Sequence, residues 1–496
     1  MFQATTNMST QSAPQPVTKP VTAPAPKATV TSKIIWILVA AAVGAGIAVA
    51  PQPPGLSHPA QLVLAILAFT VVIWAAEVMN NGVASVLMMA LMLVAGVRPL
   101  GVANGTVTGV FSGYADPAFW ILLTVLYYGF AMKKTGLAER ISYYILSLFP
   151  GSYGGILSAF FVIGLVLAMG IPSMTVRTAI MAPIAWALVQ SLGLPPRSRG
   201  TALIMITTVE MAVVPGLAFL LGSLNGPVVI KMFGAAHVPI SQGSYAEVMT
   251  LPTLVLCGMI LVLNQLLLKP EEPLKASREF ARTRLKALGT VQRPEMITAL
   301  VIGVSIVLWV ATKLPSFMVG MFGMTAFALA GILRDPDIAG GISWTLMLFL
   351  GGIFGLQNVI PEFKITDWMA GLMVPHVQAL VATPILLLIV ISLVMLALRF
   401  LDPTAFIALP LVFLPLEAPL SKAGFPPLIL TAPLLLCSAP FWLPYTNFWI
   451  AMTEGITEKQ GFSRGELFRL ASIYAFSAIV AGVVGYFYWR VIGILK

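Results

Sequence analysis

Two arginines sit where an apolar chain should not tolerate them. Arg177 follows Ser173, Met174 and Thr175 inside IPSMTVRTAIMAPI, and Arg399 precedes Asp402, Pro403 and Thr404 inside RFLDPTAFIALPLVFLPL. On insertion scales a charge at the centre of a membrane helix costs about 2.5 to 3.5 kcal/mol, so each arginine must be offset by a partner. One offset is a bound anion, since the planar guanidinium matches a carboxylate, sulfonate or phosphonate with paired hydrogen bonds. The other is internal: Arg399 can pair with Asp402 and fix the local turn, whereas Arg177 has no acidic residue near it in sequence.

A second set of polar residues interrupts two long apolar runs, at GLAFLLGSLNGPVV from Gly216 and at SAPFWLPYTNFWIAM from Ser438. Such interruptions expose half-helix N-termini with unpaired N–H groups and partial positive charge, a suitable place for an anion near the bilayer midplane. Irregular backbone at that depth is tolerated only where it is buried in protein or lines a cavity. The residues at these places are Ser173, Met174, Thr175 and Arg177 at the first polar tip, Arg399, Asp402 and Thr404 at the second, and Ser223, Asn225, Thr446 and Asn447 at the interruptions. Glu210 lies in the first interrupted run, and as an isolated carboxylate in an apolar span it is the candidate for proton coupling. Its alternative is a capped or interface-facing glutamate. Phe441, Trp442, Tyr445, Phe448 and Trp449 crowd the second interruption, either as a cavity wall or as packing.

The elements that must position these residues are membrane spans. The chain is 58% hydrophobic and 9% charged, too few charges to cover a water-exposed surface. The net charge of +10 reflects topology and not nucleic-acid binding, because the basic residues cluster between apolar runs. His58, His237 and His376 fall in predicted outer loops without partners at metal or triad spacing, and Cys257 and Cys437 lie in apolar runs. No metal, catalytic residue or cofactor is expected, and the chain does not read as an enzyme.

Apolar runs give an all-α polytopic membrane protein of 11 transmembrane helices plus two re-entrant hairpins. Residues 1–32 read as a disordered cytoplasmic tail and 33–58 as the first transmembrane helix. Residues 59–268 form a first repeat with a hairpin at 154–192, and 269–294 a cytoplasmic amphipathic linker. Residues 295–496 form a second repeat with a hairpin at 379–416. The N-terminus is then cytoplasmic and the C-terminus extracytoplasmic in a multi-pass cell (inner) membrane protein. Inner segments hold most of the basic residues, notably the block from Lys269 to Arg293, while outer segments hold few, Lys231 and Lys364 among them.

The halves repeat an order: a Trp-headed span from Trp120 or Trp344, a polar tip at Ser173 or Asp402, then an interrupted span near Gly222 or Thr446. An odd number of crossings separates corresponding elements, so the repeats are inverted.

These residues resemble the divalent anion/sodium symporter (dicarboxylate/sulfate transporter) family of the ion transporter superfamily, whose tips carry a Ser-Asn-Thr signature. Ser173, Met174, Thr175 and the AIMAPI ending match it in register, the WAAEVMNNGVASVLMMALML stretch from Trp74 looks like the family's early span, and the likeness covers about residues 60–490. Gly222, Ser223 and Asn225 look like the family's Gly-Thr-Pro-Pro-Asn break, and Thr446 and Asn447 like its second copy. The resemblance implies scaffold and transport domains, elevator-like alternating access, a homodimer and a small anionic substrate. It places flanking sodium sites near Ser173, Gly222, Asn225, Thr404 and Asn447. Met174 and Pro403 replace the two signature asparagines. The resemblance makes these tip and break residues the substrate contacts. The expected activity is transport of small anions of the di- or tricarboxylate, sulfate or organosulfonate class by cation-coupled symport or by anion exchange, with Na+ or H+ as the coupling ion. The alternative is an anion channel or uncoupled pore.

Overall fold

A computed structural model describes residues 30–76, 78–95, 109–270, 274, 277–312, 314–400, 405–442 and 447–495. Among these the structure is entirely helical, without strands. Helix starts follow local capping chemistry. Ser57, Asp116, Ser152 and Ser198 each accept a bond from a first-turn N–H of the following helix. Ser463 and Glu466 form a reciprocal box at the head of the last one.

Eight helices among the described residues are long and apolar enough to cross a membrane. They differ sharply in surroundings. Val30–Val49 presents Ile34, Ile35 and Leu38 outward, whereas the run Arg199–Ala218 is buried along its whole apolar window. A helix that is apolar on the outside has lipid as its solvent, and one that is apolar all round and enclosed is the core.

The elements recur in order. His58–Ala75, Asn81–Val94, Ser112–Ala115, Pro117–Thr135 and Leu137–Leu148 lead to paired arms Tyr153–Gly170 and Met174–Ser191. A broken helix, Arg199–Val213 and Asn225–Ala235, and the long Gln242–Leu267 follow. Arg293–Ala311, Ser316–Leu329, Asp335–Gly340, Trp344–Glu362 and Ile365–Val381 then lead to Pro384–Leu398 and Ala408–Lys422. The broken pair Pro427–Leu436 and Phe448–Ile456 and the closing Arg464–Val491 complete the second set. Contacts are exchanged between the sets: Asn81–Val94 packs on Trp344–Glu362, and Ser316–Leu329 on Pro117–Thr135.

Three features differ from the sequence expectation. The first helix begins at Val30, inside the stretch read as tail. Leu137–Leu148 and Ile365–Val381 fall outside the expected spans, yet occupy equivalent places just before each pair of arms. Leu137–Leu148 is amphipathic and carries Glu139 and Arg140, which masks it in a hydropathy reading. Arg140 earns its place by reaching both carboxylate oxygens of Glu295 at 3.1 and 3.0 Å and the carbonyls of Leu288, Gly289 and Thr290. The linker helix Ser277–Ala287 docks on the same element through Tyr143 and Phe280, with ring centroids 6.2 Å apart, and leaves Arg282, Arg284 and Lys286 exposed.

One buried ion pair ties the first broken helix to the elements around it. Lys231 Nζ lies 2.6 Å from Asp116 Oδ2 and 2.5 Å from Asn358 Oδ1, and Asn358 Nδ2 donates to Ser112 Oγ at 2.8 Å. Three elements distant in sequence thus meet at one ammonium. Removing one partner of a buried pair leaves the other uncompensated at about 3 to 5 kcal/mol. Lys231→Met is expected to lower the unfolding temperature in detergent markedly. Lys231→Met with Asp116→Asn should recover part of that loss, measured by a thermal melt of the purified protein.

Candidate functional site

The first pair of arms and the first broken helix converge on Arg177. The incoming arm Tyr153–Gly170 ends at Ile171, and Ser173 caps the outgoing arm by accepting from the Val176 N–H at 3.3 Å. Arg177 lies in the first turn of that arm and is 0% exposed. Its Nε donates to the Ala212 carbonyl at 2.5 Å, Nη1 to Ile171 at 2.5 Å and Gly222 at 2.7 Å, and Nη2 to Val213 at 3.3 Å. All four acceptors are carbonyls that lie at a helix end or in an irregular segment, where an ordinary ladder leaves them without a partner. Two helix C-termini, each with partial negative charge, point at one guanidinium. No carboxylate pairs with it among the described residues.

Close backbone approach is what makes this geometry possible. A Cβ on Gly164 would lie 1.8 Å from the Met211 carbonyl oxygen, so only glycine lets the incoming arm seat on the broken helix. A Cβ on Gly216 would lie 2.2 Å from the Gly222 oxygen and 2.6 Å from Arg177 Nη2. After Val213 the chain runs through a single 3-10 turn, Val214–Ala218, with Pro215 in its first turn, and resumes as helix only at Asn225.

The two broken helices meet. Asn225 Nδ2 donates to Ser438 Oγ at 3.2 Å, and Ser438 in turn donates to the Leu435 carbonyl at 2.6 Å. Asn225 Oδ1 is buried without a partner. Each outgoing arm also packs on the far half of the opposite broken helix: Met174–Ser191 on Phe448–Ile456, and Ala408–Lys422 on Asn225–Ala235. Phe233 and Phe413 stack across the latter contact with centroids 5.0 Å apart. Neither Asn225–Ala235 nor Phe448–Ile456 has a side-chain cap bond at its start.

The expected site residues are distributed as follows. Ser173, Met174, Ser223, Asn225 and Asn447 are buried and Thr175 is half-buried at the convergence, with Gly222 supplying a carbonyl to Arg177. Asn447 donates to the Pro440 carbonyl. Arg399 caps the C-terminus of Pro384–Leu398 and is 1% exposed, while Asp402, Thr404 and Thr446 lie outside the described residues, as do Pro403 and Tyr445. Phe441 packs on Tyr474 at 5.9 Å and Trp442 donates to Ser472 Oγ at 3.0 Å, so both lean on the closing helix. Glu210 is buried and accepts from Asn264 Nδ2 at 2.6 Å, and Asn264 also reaches Thr207 Oγ1 at 3.0 Å. The sequence reading did not name Asn264, and it quoted Ser438 only as the first residue of the second interruption. The adjacent amides Asn264 and Gln265 in MILVLNQLLL were the available signal.

The fold is polytopic and helical, with paired arms feeding broken helices. Solved transporters share it. The Alcanivorax borkumensis YdaH transporter superposes with a TM-score of 0.53 at 14% identity, covering 94% of this chain and 98% of that one. MtrF of Neisseria gonorrhoeae, titled a member of a class of antimetabolite efflux pumps, gives 0.51 at 15% identity over 92% and 94%. These likenesses concern the fold alone. A family model for the sodium:sulfate symporter transmembrane region matches residues 31–495, and the chain belongs to that family. Among its relatives are the putative malate transporter YflS of Bacillus subtilis (strain 168) and the chloroplastic dicarboxylate transporter 1 of Spinacia oleracea. The first is 23% identical over 353 residues, 69% of this chain and 72% of the relative. The second is 22% identical over 361 residues, 68% and 58%. The family suggested by the Ser173 tip and the two interruptions is the family found. The protein is a transporter and not an enzyme.

Two variants test the convergence. Gly216→Ala forces its Cβ against the Gly222 carbonyl and should destabilise by about 1 to 3 kcal/mol, the range of other overpacked sites. Arg177→Lys keeps the charge but not the fork, so at least one of the four carbonyls loses its donor. Both should lower the melting temperature of the detergent-solubilised protein, and Arg177→Met should lower it further than Arg177→Lys.

Proposed function

We propose that this chain is a secondary carrier of small organic anions of the dicarboxylate class in the cell membrane. The observation that carries the reading is the fixed guanidinium of Arg177 at the point where the first tip meets the first break, beside the Asn225–Ser438 contact that joins the two breaks. A positive charge held by four carbonyls attracts an anion to the adjoining helix N-termini without itself being displaced. The names of the relatives, malate and dicarboxylate transporters, support that substrate class, and the family name adds sulfate as its competitor.

The coupling follows from the same residues. Met174 offers no amide at the tip, and the carbonyls of Ile171 and Gly222 are already engaged by Arg177. A tethered cation there substitutes for a mobile one, which favours exchange or proton-linked movement over a steep sodium requirement. The hairpins and broken helices travel together as the moving body of an elevator, against a scaffold that forms the homodimer. The N-terminus is cytoplasmic and the C-terminus extracytoplasmic.

Purified protein in proteoliposomes preloaded with malate should take up labelled malate by saturable counterflow, with sulfate competing more weakly and with little change when sodium is replaced by choline. Uptake that rises steeply and sigmoidally with sodium would overturn the tethered-cation reading. Single-channel currents in place of counterflow would make the protein a pore.

A further inference from the structure

Glu210 is a carboxylate that the anion site does not use. It lies in Arg199–Val213 and is 3% exposed. Oε2 accepts the single bond from Asn264, whereas Oε1 has no donor, and Asn264 Oδ1 also lacks one. Among the described residues Oε1 is thus a buried acceptor that no donor reaches.

The side chain lines a small cavity between the two broken helices, with Val213 and Val214 on one side and Ala439, Phe441 and Trp449 on the other. The titratable groups that face it are Cys257 from Gln242–Leu267 and Tyr474 from Arg464–Val491. The Tyr474 hydroxyl is committed to the Leu436 carbonyl at 2.6 Å. Arg399, on the second half, also acts electrostatically on Tyr474. Arg177, on the outgoing arm, spends its donors on carbonyls, and no basic side chain is within ion-pair distance of Glu210 among the described residues.

A carboxylate at this depth, with one amide donor and no counter-charge, lacks the partners a buried ion requires. A proton on Oε1 removes the charge and creates the missing donor while Oε2 keeps its bond to Asn264. The cavity borders the junction of the breaks, so a proton held there travels with the body that carries the anion. We infer that Glu210 is a proton-binding site, and that its proton is the coupling ion that accompanies the anion. The inference rests on the transport reading above. The proton is taken from solvent on the loading side, stays on Oε1 during the crossing and returns to solvent on the other side. Exchange of one anion for another needs no such release, because the carrier returns loaded.

The test separates those two modes in proteoliposomes with malate as the probe. An inward proton gradient should drive accumulation of malate in the wild type. In Glu210→Gln that accumulation should fall far more than malate counterflow does, and Glu210→Asp should retain it with a displaced pH profile. Infrared difference spectra of the purified protein should show a carboxylic-acid C=O band that shifts in D2O and is missing in Glu210→Gln. Equal gradient-driven accumulation in wild type and Glu210→Gln, or the absence of that band in the wild type, overturns the inference. Absence of counterflow in the wild type overturns the transport reading instead, and the infrared arm still decides whether Glu210 holds a proton.

Discussion

The satisfaction of backbone carbonyls at Arg177 is the constraint on which the centre of this molecule depends. Breaking helices inside an apolar interior frees carbonyls that no water can reach, and each unsatisfied group there is expensive. One guanidinium serves four of them, from Ile171, Ala212, Val213 and Gly222. Lysine could not do so, because its donors radiate from a single point and do not form a planar fork. The need for glycine at 164 and 216 follows directly, since the carbonyls approach the fork only if the two backbones come closer than a Cβ allows.

With that centre fixed, the rest of the fold is an exchange of contacts between two similar sets of helices. Each outgoing arm packs on the broken helix of the other set, and the breaks touch through Asn225 and Ser438. Neither half therefore encloses its own site. The Lys231 ammonium binds the first broken helix to Asp116 and Asn358 from both halves, so displacing that helix requires parting a buried ion pair. Such a pair adds little net stability against an apolar alternative but penalises every arrangement in which it is split, which makes it a device for selecting one position.

Much of this was legible in the residues. Apolar runs broken by Pro215, Gly216 and Gly222, and by Pro440, read as interrupted spans because those residue types cannot continue a buried helix without a compensating partner. What escaped has a physical reason in each case. Arg177 invites the search for a side-chain or ligand anion, yet its partners are main-chain oxygens, which leave no trace in a residue pattern. Lys231 reads as an outer-loop charge, but 7% exposure and an ion pair to a residue 115 positions earlier place it inside. Leu137–Leu148 and Ile365–Val381 evade a hydropathy reading because both carry charge, Glu139 and Arg140 in the first and Asp367 in the second, and neither is as uniformly apolar as a span. Glu210 and Asn264, 54 residues apart, are each visible alone as polar residues in apolar runs, and only the fold pairs them.

The first half of the chain therefore concentrates two ionisable groups with opposite prospects. Arg177 has four acceptors for its donors and no route to give up its charge, so it sets a permanent positive potential at the tip. Glu210 has one donor for two oxygens and a cavity beside it, so its charge is the adjustable one. Arg177 is bonded to Ala212 and Val213, two and three residues beyond Glu210 on the same helix, so any motion that loosens the carbonyl clamp also moves the carboxylate. A carrier needs such a link between a step that recognises an anion and a step that alters charge, because a ligand shifts a conformational equilibrium only through a difference in free energy between its states. The stretch from Glu210 to Gly222 joins the carboxylate through backbone to the Ala212, Val213 and Gly222 carbonyls that hold Arg177.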